Sequence, residues 1–162
     1  MIKHHYDALV VGARCAGSPT AMLLARKGYK VLVVDRATFP SDTISTHLIH
    51  PLGVATLNTW GLLDRLVATG CPPINTYAFD FGPVTISGVP GTAEAPVAYS
   101  PRRTVLDKLL IDAALEAGAE VSSTLLSVSY GQAFRYRRGR GLMHTPHGSH
   151  KKREIYQRGV LD

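Results

Sequence analysis

The chain has 162 residues, of which 45% are apolar and 19% charged, a balance that suits one compact domain and excludes a disordered or collagen-like polymer. Its formal net charge is +6, and whether this charge favours nucleic-acid binding depends on where it lies along the chain. The sequence has no secretory signal, no apolar run of about 20 residues for a membrane span and only two cysteines, without zinc-type spacing, so we expect a cytosolic protein with reduced thiols.

The first 35 residues predict a strand, a helix and a second strand. The apolar run ALVV within residues 7–11 is too short for a helix and ends at a glycine, as expected for a strand buried in a parallel sheet. Residues 16–27 have helical spacing and are followed by Gly28, which is well placed to end a helix. Residues 29–35, YKVLVVD, form a second buried strand that closes with Asp35. This order is a βαβ unit, whose crossover should be right-handed.

The middle of the chain predicts a loop, a helix and short strands. Residues 36–50 are polar and irregular, which favours a loop. Residues 51–67 predict one helix, weakened by Gly53 and Gly61. Between residues 75 and 99, Tyr, Phe, Val and Ile segments alternate with Gly and Pro, a pattern of short strands in hairpins. We therefore expect a β-hairpin insertion over 74–100 that begins an antiparallel layer.

Residues 103–117 carry the strongest helix pattern in the chain. One apolar stripe runs along this segment and Gly118 follows it, so we expect a helix that ends there; the stripe consists of Leu106, Leu109, Leu110, Ala113 and Ala114. Residues 119–128 return to a strand pattern. Together the elements predict an α/β fold over residues 1–130, a partial Rossmann-like dinucleotide-binding sheet with the beginning of an antiparallel β layer.

The positive charge lies in the last part of the chain. Residues 1–130 carry ten Lys/Arg and ten Asp/Glu, whereas residues 131–162 carry eight and two. This tail is rich in Arg, Gly and His and has no apolar face to bury, which predicts an unfolded, solvated segment. Since no recognisable RNA or DNA module surrounds it, we do not expect nucleic acid as a partner.

The stretch VVGARCAGS predicts a phosphate-binding loop. A dinucleotide fingerprint needs a glycine for the tight turn and another for close packing of helix against strand, and Gly12 and Gly17 fill these two positions. Arg14 stands at the remaining glycine position, where its guanidinium could bond a pyrophosphate beside the helix N-terminus. Asp35 lies 18 residues after Gly17, about where an acid bonds a ribose hydroxyl. The acid also disfavours a 2′-phosphate, so FAD or NAD fits this site better than NADP.

Three segments resemble one family of flavoenzymes. These are DALVVGARCAGSPTAMLLARKGYKVLVVDR, FPSDTISTHLIHPLGVATLNTWGLLDRL and SPRRTVLDKLLIDAALEAGAEV, which together span most of residues 6–126. They are similar to FAD-dependent oxidoreductases related to the aromatic-hydroxylase flavin monooxygenases and the geranylgeranyl reductases. The resemblance implies that the glycine loop and the acid hold the ADP half of FAD and that residues 42–47 pass near the flavin. It also places an arginine that opens an R-x-x-L-x-x-x-L helix near the cofactor, which here is Arg103. The resulting candidate cofactor contacts are Gly12, Ala13, Arg14, Cys15, Ala16, Gly17, Asp35, Arg36, Thr46 and Arg103.

The same resemblance implies a flavin that is reduced by NAD(P)H and then reduces oxygen or a double bond of a small-molecule substrate. Such enzymes are considerably longer than this chain, and their later Asp-Gly and Gly-Asp signatures are absent, so the resemblance stops near Ser127. We therefore expect a truncated member whose exposed sheet edge needs a partner or promotes aggregation. The chain's own activity, substrate and oligomeric state are left open.

Two other functions stay open, as do several candidate side chains. An NAD-binding dehydrogenase should continue with further βαβ units after Asp35, and a non-enzymatic remnant could bind nucleic acid through the tail. His47 and His50 lie in the loop near the flavin, but no residue can be named as a catalytic acid or base. The evenly spaced histidines His144, His147 and His150 have no neighbouring acids or cysteines, so we expect no metal site.

Overall fold

The computed structural model describes residues 5–93 and 95–122. In chain order its elements are β1 Ala8–Val11, α1 Gly17–Arg26, β2 Val31–Val34, α2 Pro51–Thr59, α3 Leu63–Val67, β3 Pro73–Ile74, β4 Tyr77–Asp80, β5 Thr85–Gly88, β6 Ala98–Tyr99, α4 Arg103–Glu116 and β7 Glu120–Ser122. The predicted α/β class is confirmed.

The main sheet is parallel and has the strand order β1-β2-β7. Ala8 pairs with Val31 and Leu32 pairs with Glu120, so the predicted βαβ unit is present and β2 lies between the other two strands. All four residues of β2 are buried, as expected for β-branched side chains covered on both faces. Within the described residues β1 has a neighbour on one side only, and Val11 at its end is 69% exposed. An open edge at β1 in the full chain stays a prediction.

The predicted single helix over 51–67 is wrong, because the structure has two helices there. Gly61 has a φ of +74°, a left-handed conformation that a helix cannot continue through, so α2 ends at Thr59 and α3 begins at Leu63. Gly53 instead remains inside α2. The residues between β2 and α2 form no helix or strand, as predicted, apart from a single bridge between Ile49 and Tyr99.

The predicted hairpin region holds two separate pairs of antiparallel strands. β4 and β5 form a hairpin in which Phe79 lies opposite Ile86. β3 pairs with β6 across the whole insertion and begins at Pro73, one residue before the expected start. Every residue of β5 is exposed, as are the last three of β4, and Tyr77 at the start of β4 joins the hairpin to His50.

The core lies between the main sheet, α1 and α4. The whole predicted stripe of α4 is buried, from Leu106 to Ala114, and packs with Met22 of α1 and Val33 of β2 in one cluster. Gly118, at φ +99°, follows the helix as expected. β7 then occupies the first part of the predicted strand over 119–128. Residues beyond 122, including the basic tail and His144, His147 and His150, lie outside the described part, so the domain division at residue 130 stays a prediction.

Candidate functional site

The loop between β1 and α1 has the two glycine functions that the sequence predicts. Gly12 adopts φ +96°, the left-handed conformation of a tight turn. A Cβ on Gly17 would lie 1.6 Å from the carbonyl oxygen of Gly12, so α1 and the loop are packed too closely for any side chain at this position. The loop is also tied internally, because the buried Ser18 donates its hydroxyl to the carbonyl oxygen of Ala13 at 2.7 Å.

Backbone donors are left free where α1 begins. Ala16 is the N-cap residue, and it gives no side-chain hydrogen bond to the helix. The N–H groups of Ala16 and Gly17 have no acceptor within residues 5–93 and 95–122. Free N–H groups at the positive end of a helix form a site suited to an anion such as a phosphate.

Asp35 faces this loop from the end of β2. It is 8% exposed, and its Oδ2 accepts the N–H of Ala13 at 2.6 Å while Oδ1 accepts the N–H of Ala37 at 2.8 Å. The carboxylate therefore joins the second strand to the glycine loop. Each carboxylate oxygen has a second lone pair, so capacity remains for a hydroxyl donor.

Arg14 is bound to the protein on several sides. Its Nη1 donates to Oδ2 of Asp107 at 2.6 Å, its Nη2 donates to Oγ of Ser41 at 2.9 Å, and the guanidinium carbon lies 5.4 Å from the centre of the Phe39 ring. These contacts join the glycine loop to α4 and to the segment after β2. Both terminal nitrogens of the guanidinium thus donate to protein acceptors, which the sequence did not indicate.

Arg14, Arg103 and Asp107 form a charged cluster, and Asp107 is its one member that was not predicted from the sequence. Its side chain is fully buried on α4, where it binds Arg14 of the loop and both Nε and Nη2 of Arg103 at 3.0 and 3.1 Å. The signal was available, because an acid inside an apolar helix stripe needs a cation, and Arg103 lies four residues before it. The three side chains carry a net charge of +1 beside the free N–H groups, which again favours an anion.

The Cys15 thiol also donates to Asp107, at a distance of 3.3 Å from sulfur to Oδ1. Burial, and then the Asp107 carboxylate, raise the pKa of this thiol above its usual range. A raised pKa means less thiolate at neutral pH, so the thiol is a weak nucleophile.

The other predicted residues lie apart from this cluster. Arg36 follows Asp35 and is exposed, and Thr46 is exposed in the loop before α2. His47 has φ +58° and its N–H donates to Oγ of Ser45. His50 is bonded through Nδ1 to the hydroxyl of Tyr77 at 3.0 Å, which directs it to β4 rather than to the glycine loop.

Other features of the described residues offer no competing site of this kind. An open groove has a mixed set of basic and acidic residues, and it is lined by Pro40, Arg65, Thr69, Thr104, Val105, Lys108, Leu109 and Asp112. Within residues 5–93 and 95–122, no three His, Cys, Asp or Glu side chains form a group able to hold a metal ion. No helix in the same ranges has the length and apolar character needed to cross a bilayer.

The family model described as "FAD binding domain" matches residues 5–133. Squalene monooxygenase of Candida glabrata is 39% identical over 72 residues, which cover 44% of this chain and 15% of that protein. The flavin-dependent halogenase armH4 of Armillaria mellea is 30% identical over 132 residues, covering 75% of this chain and 24% of the halogenase. Among solved structures, the myxobacterial chondrochloren halogenase CndH, an FAD-dependent halogenase, superposes with a TM-score of 0.64 at 25% identity, over 72% of this chain and 28% of that one. The chain therefore spans less than a third of the length of each of these relatives.

Proposed function

Because the chain belongs to the family of FAD-binding domains, with FAD as its cofactor, we propose that it is the part of a flavin-dependent monooxygenase or related oxidoreductase that holds the ADP half of FAD. One observation carries the proposal. The glycine loop leaves the N–H groups of Ala16 and Gly17 free at the start of α1, directly beside a carboxylate at the end of β2.

Each part of the loop has a distinct role in this proposal. The free N–H groups bind the diphosphate, where the helix dipole adds favourable electrostatics. Asp35 accepts a ribose hydroxyl with the lone pairs that Ala13 and Ala37 leave free. Gly17 lets α1 approach closely enough for the diphosphate to reach the backbone. Arg36 and Thr46 remain proposed contacts at the exposed border of the site.

The alternative of an NAD-binding dehydrogenase is less well supported by the fold. After Asp35 the chain enters an irregular segment and two short helices, and it returns to the sheet only at β7. A dehydrogenase of the simple Rossmann type would continue directly with a further βαβ unit. Asp35 would in addition repel a 2′-phosphate, which argues against NADP at this loop.

When bound, FAD supplies the redox chemistry of the site. The residues described here bind and orient the nucleotide, and none of them is proposed as a catalytic acid or base. We propose NAD(P)H as the reductant and a small molecule as the substrate, in keeping with the monooxygenase and the halogenases named above. A cytosolic location and the absence of a nucleic-acid partner remain predictions from the sequence.

FAD titration of the purified 162-residue chain tests the proposal. We expect saturable binding of FAD, seen as a bound chromophore in the visible range, and no comparable binding of NAD. Gly17→Ala should abolish it, because the new methyl group collides with the Gly12 carbonyl. Gly88→Ala is the matched control, since a Cβ there meets no atom within 4 Å. Binding of NAD but not FAD by the folded wild-type chain would refute the proposal.

A further inference from the structure

Asp107 connects the glycine loop to α4. Its carboxylate receives hydrogen bonds from Arg14 and Cys15 of the glycine loop and from Arg103 of its own helix. Resting on the proposed function, we propose that Asp107 is a positioning residue, which holds the glycine loop against α4 through Arg14 so that its free N–H groups stay aligned for the diphosphate.

The two arginines depend on this one carboxylate. Both guanidinium groups lie within 3.1 Å of it, so they would face each other as like charges in its absence. Arg103 makes two hydrogen bonds to the carboxylate from the same helix and its side chain is 13% exposed, whereas Arg14 is 28% exposed and makes one to it, with Ser41 as its other partner. Arg14 should therefore leave the carboxylate first, and the glycine loop then loses its link to α4.

Two opposing effects on FAD binding follow from the loss of Asp107. The extra unit of positive charge would strengthen attraction to the two negative charges of a diphosphate by roughly fivefold in well-hydrated surroundings. A freed loop would have to become ordered again when FAD binds. The entropy lost in this ordering weakens the affinity for FAD by about fivefold or more for each residue that becomes fixed. Because the loop spans several residues, ordering outweighs charge, and we expect Asp107→Asn to bind FAD at least about tenfold more weakly.

Cys15 provides a reporter of the contact between the glycine loop and Asp107 that requires no cofactor. The charged groups that face its thiol are Asp107, which disfavours the thiolate, and Arg103, which favours it. Asp107→Asn loses the charged acceptor for the neutral thiol, because an amide oxygen accepts more weakly, and it loses the repulsion of the thiolate. The midpoint of thiol alkylation should then move to lower pH, since both losses lower the pKa.

The experiment uses the full chain with Cys71→Ser, so that Cys15 is the reacting thiol. Asp107→Asn is compared with Asp112→Asn, whose carboxylate lies on the same helix and binds Lys108 four residues before it. We measure FAD affinity by fluorescence titration and the alkylation rate of Cys15 from pH 6 to 10. The expected result is weaker FAD binding and a lower alkylation midpoint for Asp107→Asn, with both values unchanged for Asp112→Asn.

A second approach reaches the same link from the loop. Arg14→Met should weaken FAD binding more than Asp107→Asn, because it breaks the same link and also removes a positive charge, and adding Asp107→Asn to Arg14→Met should weaken binding little further. Arg26→Met is its control, since that exposed side chain donates to the Trp60 carbonyl. If Asp107→Asn does not fold by far-UV circular dichroism, the Arg14 pair decides: equal FAD affinity of Arg14→Met and Arg26→Met overturns the proposal.

The outcomes separate this inference from the proposed function. An unchanged Cys15 profile in folded Asp107→Asn, or an unchanged FAD affinity, overturns the positioning role while FAD binding by the wild type still stands. Tighter FAD binding would show that charge outweighs loop order and would also overturn it. A wild-type chain that folds but does not bind FAD refutes the proposed function, and with it the positioning of a cofactor loop.

Discussion

The carboxylate of Asp35 should be a major source of stability as well as a cofactor contact. It is nearly buried and accepts one backbone N–H on each oxygen, from Ala13 and from Ala37. Asp35→Asn keeps the shape but replaces one acceptor by an NH₂ donor, which must then face one of these two N–H groups. One hydrogen bond to a charged group is lost, worth about 1.5–3 kcal/mol, and one donor is left unsatisfied, so we expect a total loss of about 2–4 kcal/mol.

Urea denaturation followed by the fluorescence of Trp60, the single tryptophan, measures this loss. A loss of this size is a large fraction of the roughly 5–15 kcal/mol that stabilises a domain. Asp42→Asn is the matched control, because its carboxylate accepts only the N–H of the next residue in an exposed loop. If Asp35→Asn unfolds within about 0.5 kcal/mol of the control, Asp35 does not hold the glycine loop and the site geometry is wrong.

Three further predictions test the packing. Leu110→Ala removes a side chain that is 3% exposed and should lower the free energy of unfolding in urea by about 2–5 kcal/mol. Leu115, which is 47% exposed, should lose under about 1 kcal/mol when replaced by Ala. Similar losses for the two variants would contradict the orientation of α4. Replacing Phe79 by Ser and Ile86 by Thr in the exposed hairpin should change the free energy of unfolding by at most about 0.5 kcal/mol and should reduce aggregation seen by size-exclusion chromatography. A large loss of stability would mean that a partner covers this hairpin. Glu116→Gln breaks an exposed ion pair and should change the free energy of unfolding by under about 1 kcal/mol, and a larger change in urea unfolding would contradict this.

The parts of the fold that the sequence predicts well depend on local patterns. The runs ALVV and VLVV are too short and apolar for helices, and Gly12 sets the turn between ALVV and α1, so the βαβ unit follows from neighbouring residues. The expected burial holds for VLVV, whereas ALVV at the sheet edge is half-buried and ends at the exposed Val11. The stripe of α4 was likewise predicted with its bounds correct to one residue. In contrast, the break at Gly61 required knowing that its φ is positive, which hydrophobic periodicity does not reveal.

The parts that the sequence does not predict depend on distant contacts. Nothing near β7 indicates that it pairs with β2, or that β3 pairs with β6 across the insertion. The same holds for Arg14, whose position in the fingerprint suggested a phosphate ligand, because its bond to Asp107 joins residues 93 positions apart. Its predicted contact with the diphosphate, like those of the other candidate residues, awaits the titrations described above.

The central position of β2 affects how the chain emerges from the ribosome. Val31–Val34 are synthesised early, but their second neighbour, β7, is made only near residue 120. At the usual speed of translation this leaves one side of the strand uncovered for roughly 4–18 seconds. Nascent chains should therefore bind chaperones during this interval, and slowing synthesis between α2 and α4 should lower the yield of native protein.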